Sequence, residues 1–350
     1  MKIFINATNI HTGGGRVMLI DFLNSARKVQ NIKFVVYVNP KFNSCDFDAP
    51  NINFYNVTLS GRVILDYKIK KNVDSNDIII SFGSIPPFIK HKAKVILLLS
   101  NRYLIENYPL TGLSPKQQLK SILERIIFKY FCKNADWIIV QSLVMRDLLV
   151  QMGISDEVAK VMPYKNKDQI DAVSIEKIPD SFLYVASDEP HKNHKNLIYA
   201  WMYLAEEGIR PSLYLTIDRS MPIYQWMQPL MKKYDLKIEF LEKLPRAELF
   251  VYYNKVRALI YPSYFESYGL PLLEAKYFDI PILASELDYV RDLLDPDVSF
   301  DPHSPRSISR AVKRFLKHNE NRYDILTADN FIKEIISLPI NDKAGRSNDK

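Results

Sequence analysis

The sequence predicts an α/β protein built from two doubly wound, mainly parallel domains. Three observations carry that prediction. Short continuous runs of β-branched residues and leucine recur along the chain, each ending in polar or glycine residues, the pattern of strands covered on both faces. At 350 residues the chain exceeds the usual single-domain size, so two domains of about 150 to 180 residues are expected. The stretch 258–284 then spells out one complete unit. An apolar run Ala258–Tyr261 leads into a loop Pro262–Gly269, a helix opening near Pro271, and a second apolar run Ile280–Ala284.

Taken in order, Lys2–Asn6 reads as a first buried strand. Gly13-Gly14-Gly15 follows, where the backbone can adopt φ > 0 and approach a ligand closely. A helix then carries Val17, Ile20, Phe22 and Leu23 inward. Further strands are expected at Phe34–Val38, Ile78–Phe82, Lys94–Leu99 and Trp137–Val140, with Asn101, Arg102, Gln141 and Ser142 at their cleft-side ends. The stretch 115–140 has two readings. Lys116, Lys120, Arg125, Lys129 and Lys133 stud a helix rich in leucine, isoleucine and aromatic residues. Such a helix either packs its apolar side on the sheet or lies on an anionic bilayer.

A polar linker is expected at 166–180, dividing a first domain, 1–165, from a second, 181–325. The second restarts with strands at Phe182–Ala186, Leu213–Ile217 and Ile238–Leu241. Asp295-Pro296-Asp297 has the D-x-D form that can hold a metal, but a turn explains its composition. Residues 326–350 are expected to supply a last helix and a polar tail.

Composition narrows the classes. Apolar content of 47% and charge of 25% are those of an ordinary globular protein. The two cysteines, Cys45 and Cys132, lack metal or redox spacing, which points to a reduced, cytoplasmic setting. Met1–Ile5 reads as a strand rather than a leader, and no apolar run approaches the roughly 18 residues of a membrane span. Residues 1–165 carry 22 Lys/Arg against 12 Asp/Glu, a balance of +10, while 166–350 carry 25 against 28. The basic half suits an anionic partner, and no nucleic-acid motif accompanies it.

The chemistry concentrates in the 258–284 unit, because the loop of a βαβ unit lies where open parallel sheets bind ligands. Glu266 and Glu274 flank the turn. Free N–H groups near Gly269 and Leu270 offer an anion site. Amides for a phosphate and carboxylates for vicinal hydroxyls fit a sugar nucleotide.

The stretch PSYFESYGLPLLEA resembles the E-x7-E signature of the retaining glycosyltransferase family 4. The resemblance implies the GT-B fold, two Rossmann-like domains facing each other with the C-terminal helix crossing back to the first. It implies a donor sugar near Glu266 and a nucleotide ribose on Glu274, with Tyr268, Gly269 and Leu270 lining the donor site. In SDEPHKNHKNLIYAW, Lys192 falls on the family's diphosphate-binding lysine. Its arginine partner is replaced by Ser187, leaving Lys195 or Arg16 to compensate. Gly14, Gly15 and Arg16 would face the donor phosphates, and the main chain around Leu244 would meet the base. Glu242 stands where the family usually has glycine. Asn101 and Arg102 stand where it often has a histidine, on the acceptor side.

The implied activity is a hexosyl transfer with retained configuration, without metal or bound cofactor, from a UDP-, GDP- or dTDP-sugar. A lipid-linked saccharide at the cytoplasmic membrane face, in surface polysaccharide or O-antigen synthesis, is the expected acceptor. Two rivals stand beside it: a sugar-nucleotide epimerase or hydrolase of the same fold, and a non-catalytic nucleotide- or glycan-binding protein.

Overall fold

The computed structural model describes residues 1–10, 13–44, 47, 49–58, 61–164, 176–242, 244–318 and 327–337. Most of the expected linker, His11, Cys45 and the tail beyond residue 337 lie outside them.

The first domain is a parallel sheet of β1 (Lys2–Ala7), β2 (Lys33–Val38), β3 (Ile52–Asn56), β4 (Ile78–Ser81), β5 (Lys94–Leu98), β6 (Trp137–Val140) and β7 (Ala159–Val161), interleaved with α1 (Gly13–Ala26), α2 (Arg62–Asn72), α3 (Pro115–Phe131) and α4 (Leu143–Gln151). The strand order is 3-2-1-4-5-6-7. Alternate residues along each strand serve opposite faces. Ile5, Val36 and Ile80 pack with Leu19 and Leu23 of α1, whereas Phe4, Ile79 and Val95 pack with Leu65 of α2, Phe128 of α3 and Leu149 of α4. Both faces are therefore covered, which is why the strands read as unbroken apolar runs.

The second domain contains β8 (Ser181–Tyr184), α5 (His194–Glu206), β9 (Ser212–Leu215), α6 (Pro222–Tyr234), β10 (Ile238–Phe240), α7 (Arg246–Lys255), β11 (Ala258–Tyr261), α8 (Leu270–Tyr277), β12 (Ile282–Ser285), α9 (Asp288–Arg291), β13 (Val298–Phe300) and α10 (Pro305–Phe315). Its sheet runs 10-9-8-11-12-13, all parallel. The order reverses between β1 and β4 in the first sheet and between β8 and β11 in the second. Such reversals open the crevice in which doubly wound folds bind ligands. β8 and β11 are paired at Phe182 with Ala258 and at Leu183 with Leu259. The loops that follow them, carrying Lys192 and Glu266, are therefore neighbours.

Three expectations are corrected. Gly13-Gly14-Gly15 is not a loop ahead of a helix but the first turn of α1. β3, β7 and β13 are additional short strands at or next to the sheet edges. Among the described residues the last helix is α11 (Ala328–Ser337), and it buries no side chain against the first domain. Every residue from 327 to 337 is exposed, with Phe331, Ile332, Ile335 and Ile336 turned to solvent.

Candidate active site

Two loops at the second switch point are sewn together by backbone and tyrosine contacts. Tyr184, the last residue of β8, donates its hydroxyl to the Lys192 carbonyl at 2.6 Å and shares a 2.9 Å bond with Ser263 Oγ. Asn193, held at φ 59°, donates Nδ2 to the Pro262 and Pro302 carbonyls at 2.9 and 2.8 Å. Tyr264 N donates to the His191 carbonyl at 2.8 Å. The Pro262-Ser263 pair thus serves as an anchor, with Ser263 fully buried.

The anchored loops bring Lys192 Nζ to both oxygens of Glu266, at 2.8 and 2.9 Å. The two side chains are 15% and 10% exposed. Tyr261, the last residue of β11, donates a third bond to Glu266 Oε1 at 2.9 Å. Burial pushes the Glu266 carboxyl up, but the charge and hydrogen bond of Lys192 outweigh it and hold the group below the usual range. Glu266 is therefore an anion, oriented by a cation on one side and a phenol on the other.

Behind Glu266, the chain turns through Gly269 at φ 84°, ψ 54°, the N-cap of α8. Only glycine occupies that region without strain, and the turn leaves the first amides of α8 aimed outward. Further along α8, Glu274 receives Arg246 at 3.0 Å and the buried hydroxyl of Tyr253 at 2.8 Å. Both of its oxygens are oriented by protein donors.

The first domain closes on this loop. Arg102 Nη1 donates to the Glu266 carbonyl at 3.1 Å. Its guanidinium lies over Phe265, 4.8 Å from the ring centroid, and is paired with Glu106. Phe265 packs against Tyr103 and Tyr108 at centroid distances of 4.7 and 4.3 Å. Tyr103 Oη and His191 Nδ1 are hydrogen-bonded at 3.1 Å. Burial first, then the Lys192 charge, pulls His191 down to about 4, while burial first pushes Tyr103 up to about 12, so that bond joins two neutral groups. Ser142 Oγ reaches the Ser267 carbonyl at 3.4 Å, and Val144 N donates to Asp292 at 2.7 Å.

The remaining expected residues fall as follows. A Cβ on Gly14 would stand 3.1 Å from Leu270 Cδ1, so the glycine turn of α1 abuts the start of α8; its value is closeness, not a positive φ. Arg16 is exposed at the end of that turn. Tyr268 turns its hydroxyl to the Tyr164 carbonyl in the first domain at 2.8 Å. Leu244 packs its side chain against the second core. Asn101 caps the short turn Arg102–Leu104 by accepting from Tyr103 N at 3.1 Å. Ser187 is exposed and donates to Glu189. Lys195 lies over the Trp226 ring, 5.7 Å from its centroid. Gln141 is buried against Met18. Asp295 pairs with Arg291 and Asp297 accepts from Ile282 N, so the D-x-D stretch is a bonded turn. Sequence reasoning missed Tyr184, Tyr261, Tyr253, His191 and Arg246. The two strand-final tyrosines carried a signal: Tyr184 and Tyr261 close the neighbouring strands β8 and β11 at their loop ends, and their rings meet edge-on at 5.6 Å.

Two doubly wound parallel domains closing on a switch-point loop define the GT-B architecture. Two solved structures share it: sucrose-phosphate synthase from Thermosynechococcus elongatus, with a TM-score of 0.65, 14% identity and coverage of 91% of this chain and 90% of that one, and Anabaena HepE in complex with UDP-glucose, with a TM-score of 0.63, 17% identity and coverage of 91% and 90%. Residues 166–329 match the glycosyl transferases group 1 family. The O-antigen chain mannosyltransferase RfbU of Salmonella typhimurium is 23% identical over 200 residues, 57% of this chain. That alignment spans 56% of the relative's own length.

Proposed function

We propose that the protein is a retaining, metal-independent glycosyltransferase that moves a hexosyl group from a nucleotide sugar to a lipid-linked saccharide in surface-polysaccharide or O-antigen synthesis. The observation that carries the reading is the buried Lys192–Glu266 pair beside the amide-rich start of α8. When the bond between the anomeric carbon and the phosphate oxygen breaks, negative charge builds on the leaving diphosphate. Lys192, Arg102 and the amides at Gly269 and Leu270 form a preorganised positive wall for that charge. Arg102 then takes the place of the arginine that Ser187 lacks.

The anionic Glu266 favours positive charge at the anomeric centre. Glu274, oriented by Arg246 and Tyr253, accepts the ribose hydroxyls. The acceptor oxygen attacks from the leaving-group face, and its proton passes to the departing phosphate oxygen. The acceptor enters from the basic first domain, and the enzyme works at the cytoplasmic membrane face. The mannosyltransferase activity of RfbU makes a mannosyl donor the first candidate, and the UDP-glucose bound to HepE makes a UDP-sugar the second.

The test is nucleotide release from a panel of UDP-, GDP- and dTDP-hexoses with a lipid-linked acceptor extract, with the product linkage read by NMR. Release from one donor with the anomeric configuration kept is the expected result. An inverted linkage removes the front-face mechanism. Nucleotide binding without release across the panel favours a binding protein instead.

A further inference from the structure

The helix α3 turns its apolar side away from the protein. At about 100° per residue, Leu119, Ile122, Leu123, Ile126 and Tyr130 form one stripe, and all five are 45–66% exposed. Phe128, the buried residue of α3, lies on the opposite side of the helix and holds it to the sheet. Lys116 and Lys120 flank the stripe on one side and Lys129 on the other, all exposed, with Glu124 reaching Lys120 at 3.8 Å. Packing on the sheet therefore does not explain this stripe. The neighbouring helix α2 continues the face. Its Asp66 accepts from Phe88 N at 2.8 Å, Phe88 packs edge-on against Phe131 of α3, and α2 exposes Ile64, Tyr67 and Lys68.

The inward side of α3 is bound to the cleft. Arg125 donates to the carbonyls of Tyr103 and Glu106 and to Asn107 Oδ1, at 2.9, 3.1 and 3.0 Å. These residues follow Arg102, which is bonded to the Glu266 loop. One helix diameter, about 10 Å, thus separates the exposed stripe from the rim of the site.

We propose that the outward face of α3, extended by α2, docks on an anionic lipid bilayer and sets the cleft rim at the bilayer surface. An apolar stripe between lysines is the pattern that inserts at a headgroup boundary, and a first-domain balance of +10 matches an anionic leaflet. A second copy of the chain on the same stripe would set like charges against one another. Docking itself rests on α3; its purpose, delivery of a lipid-linked acceptor, rests on the function proposed above.

The test is co-sedimentation with phosphatidylglycerol–phosphatidylcholine vesicles and with pure phosphatidylcholine, for the wild type, Ile122→Glu/Ile126→Glu and Lys116→Gln/Lys120→Gln/Lys129→Gln. The wild type should prefer the anionic vesicles. The glutamate variant should lose at least about tenfold in partitioning, and the glutamine variant roughly fivefold per lysine at low salt. All altered side chains are exposed, so melting temperatures should stay unchanged. Absence of wild-type binding, or equal binding by the glutamate variant, overturns the proposal. So does a dimer in light scattering that the glutamate variant dissolves while vesicles bind neither form. Nucleotide release by the wild type reads the transferase separately: vesicle binding without any release removes the transferase and leaves docking, and release without vesicle binding does the reverse.

Discussion

Replacing Lys192 with methionine leaves a buried carboxylate without its cation, and the cost can be bounded from the site. Breaking one partner of a buried pair costs about 3–5 kcal/mol. Glu266 has an escape, which is to take up a proton. From an ordinary carboxylate pKa, that costs about 4 kcal/mol at pH 7.5 and about 1.4 kcal/mol at pH 5.5. The expected loss is therefore about 3–4 kcal/mol at pH 7.5, shrinking to about 1–1.5 kcal/mol at pH 5.5. In the wild type the folded pKa of Glu266 is depressed, so its contribution is full above the unfolded pKa and fades only as pH falls below it. In the variant the folded pKa is raised, so a penalty stands at neutral pH and is relieved on acidification. Scanning calorimetry should show Tm falling by about 10 °C at pH 7.5 and by about 4 °C at pH 5.5. Lys192→Met/Glu266→Gln should recover to within about 1 kcal/mol of the wild type. A loss equal at both pH values, or larger in acid, would refute the reasoning.

Three further outcomes are expected. Glu274→Gln keeps the Tyr253 hydrogen bond but drops the charge facing Arg246; stability should fall by about 1–2 kcal/mol, and steady-state kinetics should show the donor KM raised about tenfold or more. Gly14→Val should raise the donor KM while leaving the second domain's Tm unchanged, because the new methyls displace Leu270, 3.1 Å from the Cβ position; Gly14→Ala should be milder, since the side-chain end can shift. Phe265→Ala removes the ring shared by Tyr103, Tyr108 and Arg102 and should cost about 3 kcal/mol in thermal unfolding, with faster proteolysis near residues 262–269.

The parts of the fold that sequence reveals are those governed by continuous local patterns. β1, β2, β6 and β11 are apolar on both faces, so their runs appear without any knowledge of neighbours. β3 at Ile52–Asn56 does not, because an edge strand with burial on one side carries a mixed pattern, and β7 and β13 span three residues each. Glu266, Gly269 and Glu274 stood out because they occupy fixed places in a strand–loop–helix unit, whereas Lys192 stood out only through the resemblance of its segment to the family pattern. Tyr103 and His191 were not: they meet across 88 residues of chain, a closeness set by how the domains face each other. α3 shows the converse. Its amphipathic period was plain, but which side faced the protein was settled by where Phe128 and Arg125 make their contacts.

The most direct test of the central claim is a crystal structure with a nucleotide-sugar donor, or its nucleoside diphosphate, in the cleft. The account predicts phosphate oxygens within about 3 Å of Lys192 Nζ and of the Leu270 amide, with the ribose hydroxyls on Glu274. A nucleotide seated elsewhere, with Lys192 still locked on Glu266 and no phosphate contact, would contradict it.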